Sequence, residues 1–85
     1  MENPQIAALL TETLGLSEVH VDNQGTHYTV MAIGECFEGL SRVKRQQIVY
    51  APLSELIADG TIHAVSIKTF TPVLWQREKK LNLSL

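Results

Sequence analysis

Apolar residues recur with helical spacing near the start of the chain. The residues that form this stripe are Ile6, Leu9, Leu10 and Leu14. Asn3 is a good helix cap, Pro4 suits the first helical position, and Gly15 suits the left-handed residue that ends a helix. The pattern therefore predicts a first helix between Asn3 and Gly15.

The spacing then changes to the alternation that is typical of strands. Val19 and Val21 alternate with His20, and residues 28–33 are rich in β-forming residues. Between them lies the sequence DNQG (22–25), which supplies turn residues. The stretch is predicted to form a short β-hairpin.

A second helical stretch is predicted to begin at Ser41, which can cap it, and to end at Gly60. Its apolar positions include Val43, Tyr50, Leu53, Leu56 and Ile57. Pro52 lies inside this stretch and has no N–H to donate, so we expect a kink or a break near Ala51.

The sequence GTIHAVSIKTF (60–70) predicts a third strand, and it raises a question. Strand alternation puts His63 on the same face as Val65 and Ile67, the most apolar pair of the strand. A core histidine bonded to a carbonyl is the common explanation for such a position. The alternative is that the histidine binds something at the surface.

The end of the chain has the features of a last helix. Thr71 and Pro72 form a cap and first-position pair, and Trp75 is the largest apolar side chain that follows. We expect the Trp75 ring to pack between this helix and the sheet. The tail 81–85 is expected to be frayed.

Composition limits the class of protein. With 85 residues, 45% of them apolar, the chain predicts one folded domain over 1–85. It has no apolar stretch of membrane-spanning length, no signal-peptide pattern and a single cysteine, so we expect a reducing compartment, the bacterial cytoplasm. It has no phosphate-binding loop or dinucleotide fingerprint and is too small for a typical substrate pocket, so we do not expect an enzyme.

Charge is distributed unevenly along the chain. Residues 42–85 hold all seven basic residues and three acids, whereas residues 1–41 hold six acids and no Lys or Arg. The fold could display this as an acidic and a basic side, or the two halves could interleave and cancel. The basic group Arg42, Lys44 and Arg45 lies at a predicted helix start, where it could bind phosphate or form a solvated face.

Histidine and cysteine are the other candidates for chemistry. Cys36 could be a nucleophile with His63 as its base, but a small packed hydrophobe is the commoner role for such a cysteine. The three histidines, His20, His27 and His63, lack the spacing of a closed zinc site. An open site that takes further ligands from a partner stays possible, although a partly exposed strand residue is the common explanation for His27.

Three blocks, GTHYTV, FEGLSRVKRQQIVY and IADGTIHAVSIKTFTPVLW, occur in an order and at separations that resemble the BolA family, in particular its short bacterial branch. The resemblance covers about residues 6–81. It implies an α+β fold of order α-β-β-α-β-α, similar to a class II KH domain. Its three-stranded mixed sheet would be covered by helices.

The resemblance also implies a function and assigns the histidines. BolA-like proteins pair with monothiol glutaredoxins and share a [2Fe–2S] cluster that glutathione also ligates. His63 matches the best-known ligand of the family, and His27, which is expected in the loop of the hairpin, is the candidate second ligand, with His20 as the runner-up. The isolated protein is expected to hold no cofactor and to be a monomer or homodimer, with a role in iron–sulfur trafficking or in the response to iron or acid stress.

Two other functions remain open. Members of the family are also linked to DNA binding, and Arg42, Lys44 and Arg45 are the candidate contacts here. Two features weigh against that function: the chain is net acidic, and it lacks the G-x-x-G clamp of KH domains. The remaining alternative is an interaction module that binds no metal.

Overall fold

The chain folds into three helices and a three-stranded sheet in the predicted order. The computed structural model describes residues 2–83, and the side chains of residues 2–79. The elements are α1 (Asn3–Leu14), β1 (Glu18–Gln24), β2 (His27–Ile33), a short 3₁₀ turn (Glu35–Phe37), α2 (Arg42–Ala58), β3 (Ala64–Phe70) and α3 (Pro72–Leu83). The predicted fraying of 81–85 stays a prediction, because residues 84 and 85 lie outside the described residues.

The sheet is mixed and has β2 in the middle. β1 pairs with β2 in the antiparallel sense, and β2 pairs with β3 in the parallel sense over seven consecutive residues. A parallel partner requires a crossover connection, which α2 provides. The predicted α+β class and mixed sheet are confirmed. None of the helices within residues 2–83 combines the length and the apolar character needed to cross a bilayer.

One face of the sheet, which we call the first face, packs against α1 and α2. Tyr28, Val30 and Ala32 project from β2 into this core. They meet fully buried residues from the two helices, namely Ile6, Leu10, Val49 and Leu53. Alternation along the strands puts His20, His27 and Ser66 on the opposite face, which we call the second face.

Trp75 on α3 covers one end of the second face. Its side chain is 7% exposed, and its ring centroid lies 5.3 Å from that of Phe70. The indole Nε1 donates to Glu18 Oε2 at 3.1 Å. The prediction that Trp75 packs between the last helix and the sheet is confirmed.

The ends of the helices follow the predicted chemistry with one exception. Ser41 Oγ accepts a hydrogen bond from Lys44 N at 3.3 Å, and α3 begins at Pro72 as predicted. Asn3, however, lies inside α1, and Glu2 is the capping residue. The reason is that the Gln5 side chain accepts a hydrogen bond from Glu2 N at 2.7 Å, which closes the first turn one residue earlier.

The predicted break in α2 is wrong, because the helix runs without interruption through Pro52. A proline inside a helix costs about 3 kcal/mol. Val49 and Leu53, on either side of it, are both fully buried. Burying two such side chains contributes a similar or larger amount, so packing outweighs the lost hydrogen bond.

Candidate functional site

His63 lies in the connection between α2 and β3, one residue before the strand begins. The predicted strand over 60–70 is therefore too long at its start, because β3 begins only at Ala64. Asp59 Oδ1 accepts from Thr61 N at 2.9 Å, and Leu56 O accepts from Ile62 N at 3.1 Å, so the chain still folds back on the helix end there. Hydrogen bonds from the side chain and the backbone of Thr61 hold the pKa of Asp59 below its ordinary value. Ile62 is fully buried and His63, the next residue, is exposed.

This placement corrects the apolar row inferred from the strand pattern. Val65 and Ile67 do lie on the first face, but both are only partly buried. His63 is not a core residue, because the strand and its alternation begin only at Ala64. The buried member of this segment is instead Ile62, which anchors the connection.

Thr26 makes two contacts with His63 and one with the residue that follows it. The Thr26 carbonyl accepts from His63 N at 3.0 Å and from Ala64 N at 3.3 Å. The Thr26 hydroxyl lies 3.1 Å from His63 Nδ1. When Nδ1–H donates to this hydroxyl, the lone pair of Nε2 is available for a ligand, and the ring orientation is fixed.

Gly60 leaves space beside that second nitrogen. Its φ of 85° belongs to the left-handed region, which glycine adopts without strain. A Cβ at this position would lie 3.7 Å from His63 Nε2. The glycine that follows the cap of α2 therefore also leaves the Nε2 side of the ring uncovered.

His27 lies at the same end of the sheet as His63. It is the first residue of β2, and it pairs with Ala64, the residue that follows His63. The loop position that the family resemblance implied for His27 is wrong, and the alternative, an exposed strand residue, is confirmed. The turn is shorter than DNQG predicts, because β1 continues to Gln24 and only two residues remain between the strands.

The His27 ring is exposed on the second face. Its Nε2 lies 3.3 Å from Ser66 Oγ, and the ring lines a polar cleft of about 220 Å³ together with Asp22 and Thr29. The structure thus brings His27 and His63 to one end of the β2–β3 pair. We call this the histidine end of the sheet.

His20 has different surroundings. It pairs with Met31, four residues from His27 along β2, or about 13 Å. Its ring centroid lies 5.5 Å from that of Trp75, and its Nε2 forms an ion pair with Glu18. The hydrogen bond from His20 holds the pKa of Glu18 below its ordinary value. We call this the tryptophan end of the sheet.

Cys36 is not the small packed hydrophobe that its sequence context predicts. It lies in the 3₁₀ turn after β2 and is exposed. Partial burial of the thiol nevertheless raises its pKa, which disfavours the reactive thiolate. β2 is about 20 Å long and separates Cys36 from His63, so the two do not form a nucleophile–base pair.

The histidine end has two candidate ligands rather than a complete set. Within residues 2–79, His, Cys, Asp and Glu side chains do not gather in threes in the way that a metal ion needs. Two imidazoles at one exposed strand end can bind a metal centre only if another molecule supplies the remaining ligands.

The structure divides the basic group. Arg42 and Arg45 line a cavity of about 670 Å³ with Lys68 and Glu78. Lys44 is exposed and does not line it. The cations at the start of α2 therefore do not all face one surface, and they lie at the tryptophan end of the sheet.

Thr26 and Gly60 are the site residues that sequence reasoning missed. Both lie beside features of the sequence analysis: Thr26 precedes the candidate ligand His27, and Gly60 follows the cap of α2. A threonine adjacent to a candidate ligand was the available signal. Its partner is 37 residues away, and only the parallel pairing of β2 with β3 brings them together.

Comparison with known proteins identifies relatives over almost the whole chain. A model of the BolA-like protein family matches residues 6–73. The acid stress protein IbaG of Escherichia coli strain K12 is 57% identical to this chain over 82 residues, which are 96% of this chain and 98% of that protein.

Solved structures agree with the fold. The solution structure of BolA1 from Mus musculus is 29% identical and covers 91% of this chain and 70% of its own, with a TM-score of 0.80. The BolA domain of SufE1 from Arabidopsis thaliana is 28% identical and covers 84% of this chain and 92% of its own, with a TM-score of 0.76.

Proposed function

Because the chain belongs to the family of BolA-like proteins, we propose that it is an adaptor that binds a monothiol glutaredoxin and ligates a labile [2Fe–2S] cluster together with it. His63 is the principal ligand and His27 the second. Glutaredoxin and glutathione supply the other ligands. The cluster is cargo, held for transfer or for sensing iron or acid stress.

One observation carries this proposal. His63 and His27 come from segments 36 residues apart and lie at the same exposed strand end. Thr26 contacts His63 Nδ1, which leaves Nε2 for a ligand, and Gly60 keeps the space beside Nε2 clear. A histidine that only filled space would not require an oriented ring with one nitrogen directed outward.

The donor set suits a cluster that is passed on. A [2Fe–2S] cluster takes four protein-type ligands, usually thiolates, and imidazole in their place raises its reduction potential because it carries less negative charge. Acid competes with iron for an imidazole nitrogen, so such a ligand is released as the pH falls. That property fits a relative named for acid stress.

The test is reconstitution of the full chain with a monothiol glutaredoxin, glutathione, iron and sulfide, followed by visible absorption and circular dichroism. We expect a cluster spectrum that differs from that of glutaredoxin alone. His63→Ala should abolish or sharply alter it, and His27→Ala should weaken it less, because another donor can replace a second ligand.

His20→Ala is the matched control. It removes the same side chain from the same sheet, but at the tryptophan end, and should leave the spectrum unchanged. If His63→Ala assembles a cluster with the wild-type spectrum and lifetime, the ligand assignment is wrong. If His20→Ala matches His63→Ala, the two histidine environments do not differ as proposed.

A further inference from the structure

Within residues 2–83, the outer edge of β3 presents main-chain groups that no other strand pairs with. β3 is an edge strand with β2 on one side. In a parallel pair of strands, the N–H and the C=O of one residue point to the same side of its strand. Phe70 O accepts from Gly34 N at 3.0 Å on the β2 side, and Ala64 N donates to that side as well. The alternate residues, Val65, Ile67 and Thr69, therefore direct their N–H and C=O groups away from the sheet.

This edge carries little of the protection that edge strands usually have. Residues 64–70 contain one charged side chain, Lys68, no proline and no glycine, and they pair with β2 without a bulge. One carbonyl is covered, because Gln46 Nε2 donates to Ile67 O at 2.7 Å. The Gln46 carboxamide has the same donor chemistry as a peptide N–H. It therefore makes the hydrogen bond to Ile67 O that the main chain of a fourth strand would make.

Two adjoining cavities run along this edge. The larger, of about 670 Å³, borders Ile67 to Phe70 and has Arg42, Arg45 and Lys68 in its wall. The smaller, of about 360 Å³, is mainly apolar and is lined by Tyr50, Ala51, Val65 and Ile67. Gln46 and Ile67 border both cavities. We call the combined feature the β3 edge groove.

Charge distinguishes between the possible occupants of this groove. Its cationic half contains Arg42, Arg45 and Lys68 against one carboxylate, Glu78. A second copy that paired through its own β3 would bring another Lys68 and two more arginines to the contact, against a single further acid, Glu78. Like charges placed together cost free energy, so self-pairing is disfavoured.

We propose that the β3 edge groove binds an extended segment of a partner protein, acidic at one end and apolar at the other, which adds to the sheet as a fourth strand. Main-chain hydrogen bonds to Val65, Ile67 and Thr69 supply the part of the affinity that does not depend on the sequence of the bound segment. Apolar side chains rest on Tyr50 and acidic ones face the cations, which together select the segment. This interaction does not involve His27 or His63 and does not depend on the cluster proposal.

The test uses the full chain, labelled with ¹⁵N, and a synthetic eight-residue peptide of four glutamates and four valines, made in both orders because an added strand can run in either direction. We expect the order that binds more tightly to slow hydrogen exchange of the Val65, Ile67 and Thr69 amides. A peptide with lysine in place of glutamate should bind at least tenfold more weakly, about 1.4 kcal/mol. A glutamate–valine peptide N-methylated on the strand edge that faces β3 should also lose binding.

Two charge reversals on the same helical turn complete the experiment. Arg42→Glu should weaken binding about tenfold, whereas Lys44→Glu, which alters a cation outside the groove, should not. Equal loss in both variants, or undiminished binding of the N-methylated peptide, would overturn strand addition in favour of a diffuse electrostatic contact. Protection of Val65, Ile67 and Thr69 that rises with protein concentration and without peptide would instead identify a second copy as the occupant and contradict the proposal.

Discussion

The two ends of the sheet hold the same kind of residue in opposite situations. At the tryptophan end, His20 has a carboxylate partner in Glu18 and an aromatic neighbour in Trp75. At the histidine end, His63 has only a hydroxyl on one nitrogen, and its ring is exposed. The comparison shows that the role of a histidine follows from the partners of its two ring nitrogens. The apolar character of its sequence neighbours does not reveal that role.

The largest expected effect concerns the packed end. Trp75→Ala removes a nearly buried ring that contacts Phe70 and His20, so unfolding free energy should fall by about 3–5 kcal/mol. Urea unfolding followed by far-ultraviolet circular dichroism measures this. Val73→Ala, which truncates a 75% exposed side chain on the same helix, is the control and should change stability by about 0.5 kcal/mol or less. Equal losses would show that α3 is not anchored through Trp75.

The next effect tests whether the histidine end depends on Gly60. Gly60→Ala should cost about 1–2 kcal/mol, because alanine does not tolerate the left-handed backbone. It should also shift the His63 ring signals in an NMR spectrum, since the new methyl group lies beside Nε2.

Gly39→Ala is the matched control for Gly60→Ala. Gly39 has a φ of 74°, but a Cβ there meets no atom within 4 Å. It should therefore cost a similar amount of stability without moving the His63 signals. Ring signals that stay fixed in Gly60→Ala would contradict the role given to Gly60.

A smaller effect concerns the ion pair at the tryptophan end. The hydrogen bond from His20 lowers the pKa of Glu18 from its ordinary 4.5, so the ionised form is favoured by folding. This contribution is present above pH 4.5 and is lost as the pH falls through the lower folded-state pKa. Glu18→Gln should thus be less stable than the wild type near neutral pH, with the difference disappearing in acid. A stability difference that is independent of pH would refute the pairing. Glu12→Gln, on an exposed part of α1, is the control and should show no pH-dependent difference in stability from the wild type.

The smallest effect concerns the cations at the tryptophan end. If Arg42, Lys44 and Arg45 contact DNA, affinity should fall steeply with salt, by about one counterion per contact. We expect weak binding without sequence preference in gel-shift titrations, and replacing all three with alanine should not alter the cluster spectrum. A specific complex of about nanomolar affinity at physiological salt would make DNA binding the leading function.

Much of the fold could be predicted because local signals agreed with the tertiary structure. Ser41, Pro72 and Gly15 each occupy the predicted end of a helix. The break at Pro52 was predicted wrongly because the burial of Val49 and Leu53 is a tertiary effect that the local pattern does not contain.

The candidate site was less accessible to sequence reasoning. Strand alternation predicted that His63 and Val65 share a face. The sequence does not reveal that Ile62 remains bonded to the end of α2, so that the strand begins only at Ala64. Family resemblance selected His63 and His27 as ligands. Their meeting at one strand end depends on the register between β2 and β3, which no local pattern specifies.

The most direct test of the central claim is the magnetic coupling between histidine nitrogen and the reduced cluster in the glutaredoxin complex. With ¹⁵N-histidine incorporated only into this chain, pulsed electron paramagnetic resonance should detect a strongly coupled imidazole nitrogen. The contribution of His63 to this coupling should disappear in His63→Ala, which leaves only that of His27, and the full coupling should persist in His20→Ala. A cluster that shows no histidine coupling in the wild type, or the same coupling after His63 is replaced, would contradict the assignment of the histidine end as the ligand site.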